Sequence, residues 1–427
     1  MNLLALTLAY LRSQPLGTFL TLLLLSLGTG MIVVLLLFQD QLERRLTRDL
    51  QGIDLVVGAK GSPLQLILSA VYHLDVPTGN VTLDEAEQVM NNPMVAAAIP
   101  LALGDALAGF RIVGSTHAYP EHYGAGLADG RLWAEAHEEE EGHEHGDSGH
   151  EGEGEGELEA VLGAQVAART GLGVGDRFVG AHGIGGGGPA HEEHPYTVVG
   201  VLEPTGTVID RLVLTGVESV WAVHEHAAPG AGAAPLPMHG GPIPEPGEQI
   251  TALLVKYRTP LAAVTLPRAI NMGTPMQAAS PALEVARLFQ LLGVGVNAFR
   301  AFALLLIVTA AVSVFASLYN ALKERQYDLA IMRTVGATRR TVFLQLLLEG
   351  LLLGVGGTLL GLALGHLAAE GLAVWLRAEH LIPFTGGAFV VEELWLLALA
   401  VAVGAAAALI PAVRAYRLDI AAVLARG

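Results

Sequence analysis

Histidines are mixed with carboxylates and glycines in one stretch of this chain, residues 137–157, which reads HEEEEGHEHGDSGHEGEGEGE. Imidazole nitrogens and carboxylate oxygens are ligands that Zn²⁺, Cu²⁺ and Ni²⁺ accept, and glycine lets a chain wrap around an ion. Shorter groups of the same kind lie at 182–194 and 224–226. The pattern predicts weak binding of several divalent ions, with Zn²⁺ the leading candidate. The candidate ligands are His137, His143, His145, His150, His191 and His194.

The same stretch has a plainer interpretation as a solvated acidic linker, which is what acidic low-complexity runs usually are. Residues 135–159 hold twelve acidic residues and no Lys or Arg, and they account for most of the net charge of −17. The irregular spacing of the histidines argues against a defined four-ligand structural site. No basic patch suited to nucleic acid is evident in the chain, so we expect no nucleic-acid partner.

Motifs for catalysis are absent from the sequence. It contains no phosphate-binding G-x-x-x-x-G-K-[ST] loop, and its lysines are Lys60, Lys256 and Lys323. The HEEH at 191–194 differs from a zinc-protease helix, because its histidines are three residues apart and Pro195 would end a helix there. Cysteine is also absent, which excludes disulfides and thiolate sites. We therefore expect no catalytic residues in this chain.

Four uncharged apolar runs determine where these groups can lie: residues 16–38, 301–319, 350–369 and 394–413. Each is about as long as a helix that crosses a hydrocarbon core of ~30 Å. The low share of charged residues, 15%, also fits a membrane protein. The predicted fold class is an α-helical membrane protein with four transmembrane helices, arranged one plus three, and a large extracytoplasmic α+β domain on helical stalks.

The runs divide the chain into segments with predicted locations. They are a cytoplasmic segment (1–15), transmembrane helix 1 (16–38), an outer domain with stalk ends (39–298) that carries the insert 135–159, transmembrane helix 2 (299–319), a cytoplasmic loop (320–343), transmembrane helix 3 (344–369), a short outer loop (370–393), transmembrane helix 4 (394–413) and a cytoplasmic tail (414–427).

Positive charge predicts the orientation of these segments. Nine Lys and Arg residues flank the apolar runs on the side of the termini and the 320–343 loop, against six on the other side. The positive-inside rule therefore puts the termini in the cytoplasm and residues 39–298 in the periplasm. The cluster Arg44, Arg45 and Arg48 opposes this orientation, unless helix 1 continues outward as a stalk and keeps these charges away from the lipid headgroups.

The outer domain mixes helix and strand signals. Residues 81–91 predict a helix with Thr82 and Glu85 as a capping box, and residues 158–170 predict a short amphipathic helix. Residues 281–297 predict a helix that leads into the second crossing. Strands are predicted at 110–114, 196–202, 211–215 and 250–257.

The loop between the second and third crossings reads NALKERQYDLAIMRTVGATRRT, residues 320–341. Residues 322–334 have the pattern of a short amphipathic helix, and Gly336 is a natural terminator. A helix of this kind at a membrane surface can dock into a groove of another protein.

This loop resembles the signature of FtsX-like permeases of ABC transporters, a group that includes MacB-type and LolC/LolE-like permeases. The C-terminal IPAVRAYRLDIAAVLARG and the outer segments GAQVAARTGLGVGDRF and TVVGVLEPTGTVIDR are also similar to that group. The resemblance implies a coupling helix that docks on a separate ATPase subunit. The residues that match the signature are Glu324, Arg325, Asp328, Leu329, Ile331, Arg333, Gly336 and Ala337.

The third crossing carries one carboxylate and many glycines. Glu349 lies near its cytoplasmic end, where a structural role is the expected one, although intramembrane carboxylates are often functional. Small-residue faces on the same helix suit close helix packing, inside one protomer or across a dimer, and they are formed by Gly350, Gly354, Gly356, Gly357, Gly361 and Gly365.

The resemblance implies an inner-membrane permease subunit, in a homodimer or heterodimer of permeases, that couples ATP hydrolysis to a periplasmic shape change. One hypothesis joins this to divalent metal, with a periplasmic metal-binding or substrate protein as a further partner. An alternative cargo is a lipoprotein, lipid, peptide or antibiotic. A third hypothesis is a transmembrane signalling scaffold without transport.

Overall fold

The computed structural model describes residues 3–135, 158–183, 193–225, 248–378 and 384–417. The chain forms two compact units. The membrane unit consists of Met1–Arg44 and Gln290–Gly427, and the outer unit consists of Arg45–Phe289.

The helices, numbered in chain order, are α1 (Leu3–Ser13), α2 (Pro15–Asp49), α3 (Pro63–Ala70), α4 (Leu83–Met90), α5 (Ala118–His122), α6 (Ala164–Thr170), α7 (Val217–Glu225), α8 (Ala262–Gly273), α9 (Pro281–Glu324), α10 (Gln326–Thr334), α11 (Arg339–Ala378) and α12 (Glu393–Tyr416), with a 3-10 helix at Val208–Arg211. The strands are β1 (Leu55–Ala59), β2 (Val81–Thr82), β3 (Val95–Leu107), β4 (Phe110–Gly114), β5 (Leu127–Gly130), β6 (Leu158–Leu162), β7 (Arg177–Phe178), β8 (Tyr196–Leu202), β9 (Leu212–Thr215), β10 (Gln249–Ile250), β11 (Ala252–Tyr257) and β12 (Met276–Ala279).

Four helices in the described residues are long and apolar enough to span a bilayer: α2, α9, α11 and α12. They confirm the predicted fold class of four spanning helices with a large α+β outer domain. Their ends differ from the apolar runs, since α9 has 44 residues and α11 has 40. Hydropathy marks the part of a helix that suits lipid, whereas the backbone hydrogen bonds continue into polar residues. Pro15 and Pro281 stand at the first positions of α2 and α9. The missing N–H of a proline costs nothing there, because the first N–H groups of a helix have no partner within the helix.

The glycines of α11 pack against neighbouring helices inside the membrane unit. A Cβ on Gly354 would lie 2.7 Å from the backbone oxygen of Ala400 in α12. A Cβ on Gly361 would lie 2.6 Å from the Cβ of Thr29 in α2, on another face of α11. The sequence allowed these glycine faces to pack either within one protomer or across a dimer. At Gly354 and Gly361 the packing is within one protomer.

The outer unit is built on a mixed sheet with the strand order β12-β1-β11-β3-β4-β9-β6-β8-β5, in which β7 also pairs with β8. The pairs β4/β9 and β6/β8 are parallel, and the other pairs are antiparallel. Two clusters of buried side chains form its core. One lies around Leu55, Leu253 and Ile270, and the other around Ile112, Leu162 and Val213.

Several predicted outer elements are confirmed. Strands β4 and β8 have the predicted bounds, and α4 begins after Thr82 with the complete capping box to Glu85. The prediction of one helix over 158–170 is wrong in its first half. Residues 158–162 form β6, because they pair with both β8 and β9, and the helix α6 starts only after Gly163. Tertiary pairing overrides local helical spacing here.

The outer end of α2 is held inside the outer unit by hydrogen bonds to its last carbonyl groups. The hydroxyl of Tyr72 donates to the oxygen of Leu46 at 3.0 Å, and the hydroxyl of Tyr123 donates to the oxygen of Asp49 at 3.1 Å. The buried Asp49 carboxylate accepts from the N–H of Val208 at 2.9 Å. The two tyrosine hydroxyls satisfy helix-end carbonyls that would otherwise lack partners.

Both stalk helices lead to neighbouring strands. Helix α2 precedes β1, and β12 precedes α9. Strands β1 and β12 are antiparallel partners, with Val56 opposite Ala279. Because the start of β1 lies beside the end of β12, both helices connect to the same end of this pair of strands.

We predict that Gly361→Ala lowers the melting temperature of the detergent-solubilised protein, because its Cβ would meet the backbone oxygen of Ser26 at 2.8 Å. Overpacking of this kind costs about 1–3 kcal/mol, which outweighs the gain of about 1 kcal/mol from helix propensity. Gly371→Ala in the same helix is the control, since no described atom lies within 4 Å of its Cβ, and it should be neutral or stabilising. Equal melting temperatures for the two variants would contradict the packing.

Candidate coupling site at the junction of α9 and α10

The junction between α9 and α10 is a single residue, Arg325. Its φ of −101° and ψ of 9° lie outside the α-helical region and separate the two helices. The prediction of one helix over 322–334 is therefore corrected, because Lys323 and Glu324 end the long helix α9 and only residues from Gln326 onward form α10. The two helices are therefore separate elements joined without a loop.

The Arg325 side chain ties three elements of the membrane unit together. Its guanidinium lies 4.0 Å from the ring centre of Tyr10 in α1 and donates to the hydroxyl of Ser13 at 3.1 Å. On the other side, its Nη1 lies 3.6 Å from Oε1 of Glu349 in α11. Only 12% of the Arg325 side chain and 5% of the Glu349 side chain are exposed. A charge this deeply buried needs a partner of opposite sign, and each of the two residues supplies it to the other.

A second contact lies beside the first. The amide of Gln14, between α1 and α2, donates to the carboxylate of Glu324 at 3.1 Å. About one turn earlier in α9, the ring of Tyr319 faces two cations. Lys323 of α9 lies 5.0 Å from the ring centre, and Arg414 of α12 lies 4.9 Å from it. Cations over aromatic faces are attracted by the ring quadrupole, so these contacts fasten the end of α9 to its neighbours.

Helix α10 has one buried and one exposed face. Leu329 and Ala330 are buried, and Leu329 packs with residues of α9, α11 and α12 such as Leu318 and Leu346. Tyr327 and Ile331 are 49% and 41% exposed, and Val335 just beyond the helix is 83% exposed. Exposed apolar side chains in one short element form a surface that suits a protein partner.

The turn after α10 requires a glycine. Gly336 has a φ of +112°, which side chains disfavour, and the N–H of Ala337 donates to the oxygen of Met332 at 2.9 Å. The hydroxyl of Thr338 then accepts from the N–H of Thr341 at 3.2 Å and caps the start of α11. These bonds satisfy the end of one helix and the beginning of the next.

The structure brings together some of the residues that the sequence singled out. Arg325 contacts Glu349, Leu329 is core, and Gly336 and Ala337 form the turn. Glu324, Asp328 and Ile331 are exposed, and Arg333 is half-buried. Sequence reasoning missed Tyr10, Ser13 and Gln14, because a chain separation of more than 300 residues carries no local signal.

The predicted metal ligands fall mostly outside the described part of the chain. His137, His143, His145, His150 and His191 lie there, and His194 lies in the turn before β8. No group of three or more His, Asp or Glu within the described ranges could hold a metal ion. His182 lies 2.9 Å from the carboxylate of Asp105. Metal binding by the histidines therefore stays a prediction.

Two family models match this chain. Residues 300–420 match the FtsX-like permease C-terminal model, and residues 18–231, half of the chain, match the MacB-like periplasmic core domain model. The chain belongs to the FtsX/MacB family of ABC transporter permeases, and it is an inner-membrane protein with a large periplasmic domain.

Individual relatives are more distant. The chain is similar to the lipoprotein-releasing system transmembrane protein LolE of Haemophilus influenzae, with 33% identity over 136 residues. That match covers 28% of this chain and 32% of the relative, so it spans about a third of the relative's length. The periplasmic region of MacB from Actinobacillus actinomycetemcomitans aligns with a TM-score of 0.33 at 12% identity, over 56% of this chain and 95% of that one. The extracellular domain of the noncanonic ABC-type transporter YknZ from Gram-positive bacteria aligns with a TM-score of 0.29 at 12% identity, over 53% of this chain and 99% of that one.

We predict that Arg325→Met and Glu349→Leu are each strongly destabilising, by about 3 kcal/mol or more, because each leaves the other charge buried and unpaired. The double variant should lose less than the sum of the two losses, with a coupling of about 1–3 kcal/mol. Thermal unfolding of all four proteins in the same detergent measures the cycle. Arg44→Met is the control, since its partner Asp40 is on the same helix and the Arg44 side chain is 68% exposed. Additive losses at 325 and 349 would show that the pair is not coupled.

Proposed function

We propose that this chain is the transmembrane subunit that transmits the movement of a separate cytoplasmic ABC ATPase to its own periplasmic domain. The observation that carries the proposal is α10, a short helix with an exposed apolar face that Arg325 ties to α1 and α11. Movement of a partner bound to α10 would therefore be transmitted to α1 and α11 through these contacts. ATP hydrolysis is assigned to the partner, because this sequence contains no phosphate-binding loop.

The long helices supply a route for this movement. Helix α9 runs unbroken for 44 residues from β12 to the junction at Arg325, which corresponds to about 66 Å. Helix α2 has 35 residues, about 52 Å, and ends at the carbonyl groups that Tyr72 and Tyr123 hold. Because β1 and β12 are paired strands, a shift of one stalk relative to the other would strain their shared hydrogen bonds. The proposed output is a change of shape in the periplasmic domain.

We further propose that two permease subunits, identical or different, work together with two ATPases. Of the four spanning helices, α9 has the smallest buried share in its apolar part. Phe302, Leu305, Val308 and Val312 are exposed on it, and these residues can face either lipid or a second subunit. The interface that we propose between the two subunits is this exposed face of α9.

Two kinds of cargo are proposed for the periplasmic domain. The printed name of the Haemophilus relative, a lipoprotein-releasing protein, supports a lipid-modified protein, although the match covers a third of that relative. The histidine-rich stretch supports divalent metal, with Zn²⁺ first and a periplasmic metal-binding protein as a further partner. Peptide or antibiotic export and a signalling role without transport remain the other hypotheses. Crosslinking in cells followed by identification of the bound periplasmic partner distinguishes these hypotheses.

We predict that the double variant Tyr327→Ala with Ile331→Ala loses most of the ABC ATPase that co-purifies with the wild-type chain. Truncation of well-placed interface residues costs about 1–3 kcal/mol each, so affinity should fall at least tenfold. The melting temperature should stay near that of the wild type, because both side chains are exposed. Val401→Ala, an exposed apolar position in α12, is the control and should retain the ATPase. Unchanged ATPase recovery with the α10 variant would rule out this docking face.

We predict that the purified full-length protein takes up more than one Zn²⁺ per chain in isothermal titration, and that deletion of residues 137–157 removes most of this uptake. Replacement of His137, His143, His145 and His150 by Ser should have nearly the same effect, because imidazole is the preferred ligand among these groups. That variant keeps the acidic residues and so separates ligation from charge attraction. If it binds as much Zn²⁺ as the wild type, the metal role of the histidines is wrong.

A further inference from the structure

A second polar cluster lies in the membrane unit, where α11 nears its periplasmic end and α12 begins. It contains His366 of α11, Glu393 of α12 and the segment 384–387 that precedes α12. The coupling site uses none of these residues.

Both ring nitrogens of His366 face hydrogen-bond acceptors. Nδ1 lies 2.6 Å from the backbone oxygen of Gly386, and Nε2 lies 3.0 Å from Oε2 of Glu393. A carbonyl oxygen can only accept, so Nδ1 must carry a hydrogen. Nε2 and the carboxylate oxygen can approach this closely only if a second hydrogen lies between them. A neutral histidine carries one ring hydrogen, and an ionised glutamate carries none. The geometry requires two hydrogens, one at each ring nitrogen, so the pair must bind one additional proton.

The burial of Glu393 makes that proton important. Its side chain is fully buried, and its other oxygen accepts from the N–H of Val390 at 3.2 Å. Without the shared proton, a nitrogen lone pair would face a buried carboxylate, which is costly away from water. The His366 side chain is 28% exposed, so the imidazole can exchange its proton with solvent.

The protonated pair holds a segment that also binds α2. Gly386 donates its N–H to the carboxylate of Glu370 at 2.7 Å. Thr385 exchanges two hydrogen bonds with the side chain of Gln41, at 2.7 and 3.0 Å, and Phe384 packs with Val33 and Leu37. A Cβ on Gly386 would collide with the backbone oxygen of His366, so the segment lies directly against α11.

We propose that His366 and Glu393 form a proton-binding site on the periplasmic side, and that the bound proton latches residues 384–387 onto α2 and α11. The groups that face the imidazole are Glu393 from α12 and the Gly386 carbonyl from the segment. One turn away on α11 lies the carboxylate of Glu370, and from α2 the neutral amide of Gln41 faces the segment itself. The latch holds while the proton is bound and loosens as rising pH removes it.

Hydrogen–deuterium exchange of the full-length protein in nanodiscs tests this proposal without ATPase or cargo. Exchange times are scaled for the intrinsic pH dependence of amide exchange, and peptides that cover 384–392 are followed between about pH 6 and pH 8, the range in which histidines titrate. For one linked proton, protection of the wild type should fall by up to tenfold per pH unit above the transition.

Two variants separate proton binding from a purely structural role. In Glu393→Gln the amide can donate to Nε2 of a neutral His366, so the contact survives without a proton and protection should stay high at both pH values. Glu370→Gln is the control. It should lower protection at every pH and leave the ratio of protection at about pH 6 to protection at about pH 8 as in the wild type. Wild-type protection that does not vary with pH would overturn the proposal, and so would a Glu393→Gln variant as pH-dependent as the wild type.

Discussion

An arginine buried among membrane helices must keep an anion beside it, and the ion pair between Arg325 and Glu349 meets this requirement at the junction on which the proposed function depends. The pair joins the break between α9 and α10 to Glu349 of α11, about three turns after that helix begins. Tyr10 and Ser13 cover the same guanidinium from α1. A short helix at a membrane surface has little stability of its own, since isolated helices of this length are marginal in water. The position of α10 therefore depends on this one side chain and on the buried Leu329 and Ala330.

Close helix packing gives the ion pair a rigid base. Glycines on two faces of α11 allow α2 and α12 to approach within backbone contact, and the pair is held by that bundle. The other end of the bundle has a second buried pair, His366 with Glu393. In our proposal this second pair is held together by a bound proton, whereas Arg325 and Glu349 form an ion pair whose charges are fixed. One end thus carries a permanent contact and the other a contact that pH can remove. Helix α11 takes part at both ends, with Glu349 at one and Glu370 at the other, and α2 contacts the segment 384–387 through Gln41.

Much of the structure around α10 followed from the sequence. The amphipathic pattern and Gly336 predicted a short helix and its end, and Glu349 was expected to have a structural role. The break at Arg325 did not follow, because every residue from 322 to 334 is acceptable in a helix and only the contacts of Arg325 with distant elements favour the break. The same applies to β6, whose local pattern is helical and whose strand pairing with β8 and β9 decides its conformation.

The sequence by itself determined the class of this protein: four spanning helices, their one-plus-three arrangement, and a family signature in the loop that follows the second span. These properties depend on hydrophobic length and on local residue order, which are both readable along the chain. Only the tertiary structure decided which glycines pack on which helix, which tyrosine hydroxyls hold the last carbonyl groups of α2, and that Tyr10 and Glu349 meet at Arg325. Such contacts join residues hundreds of positions apart, and they follow from the shape of the packed helices and not from spacing in the sequence.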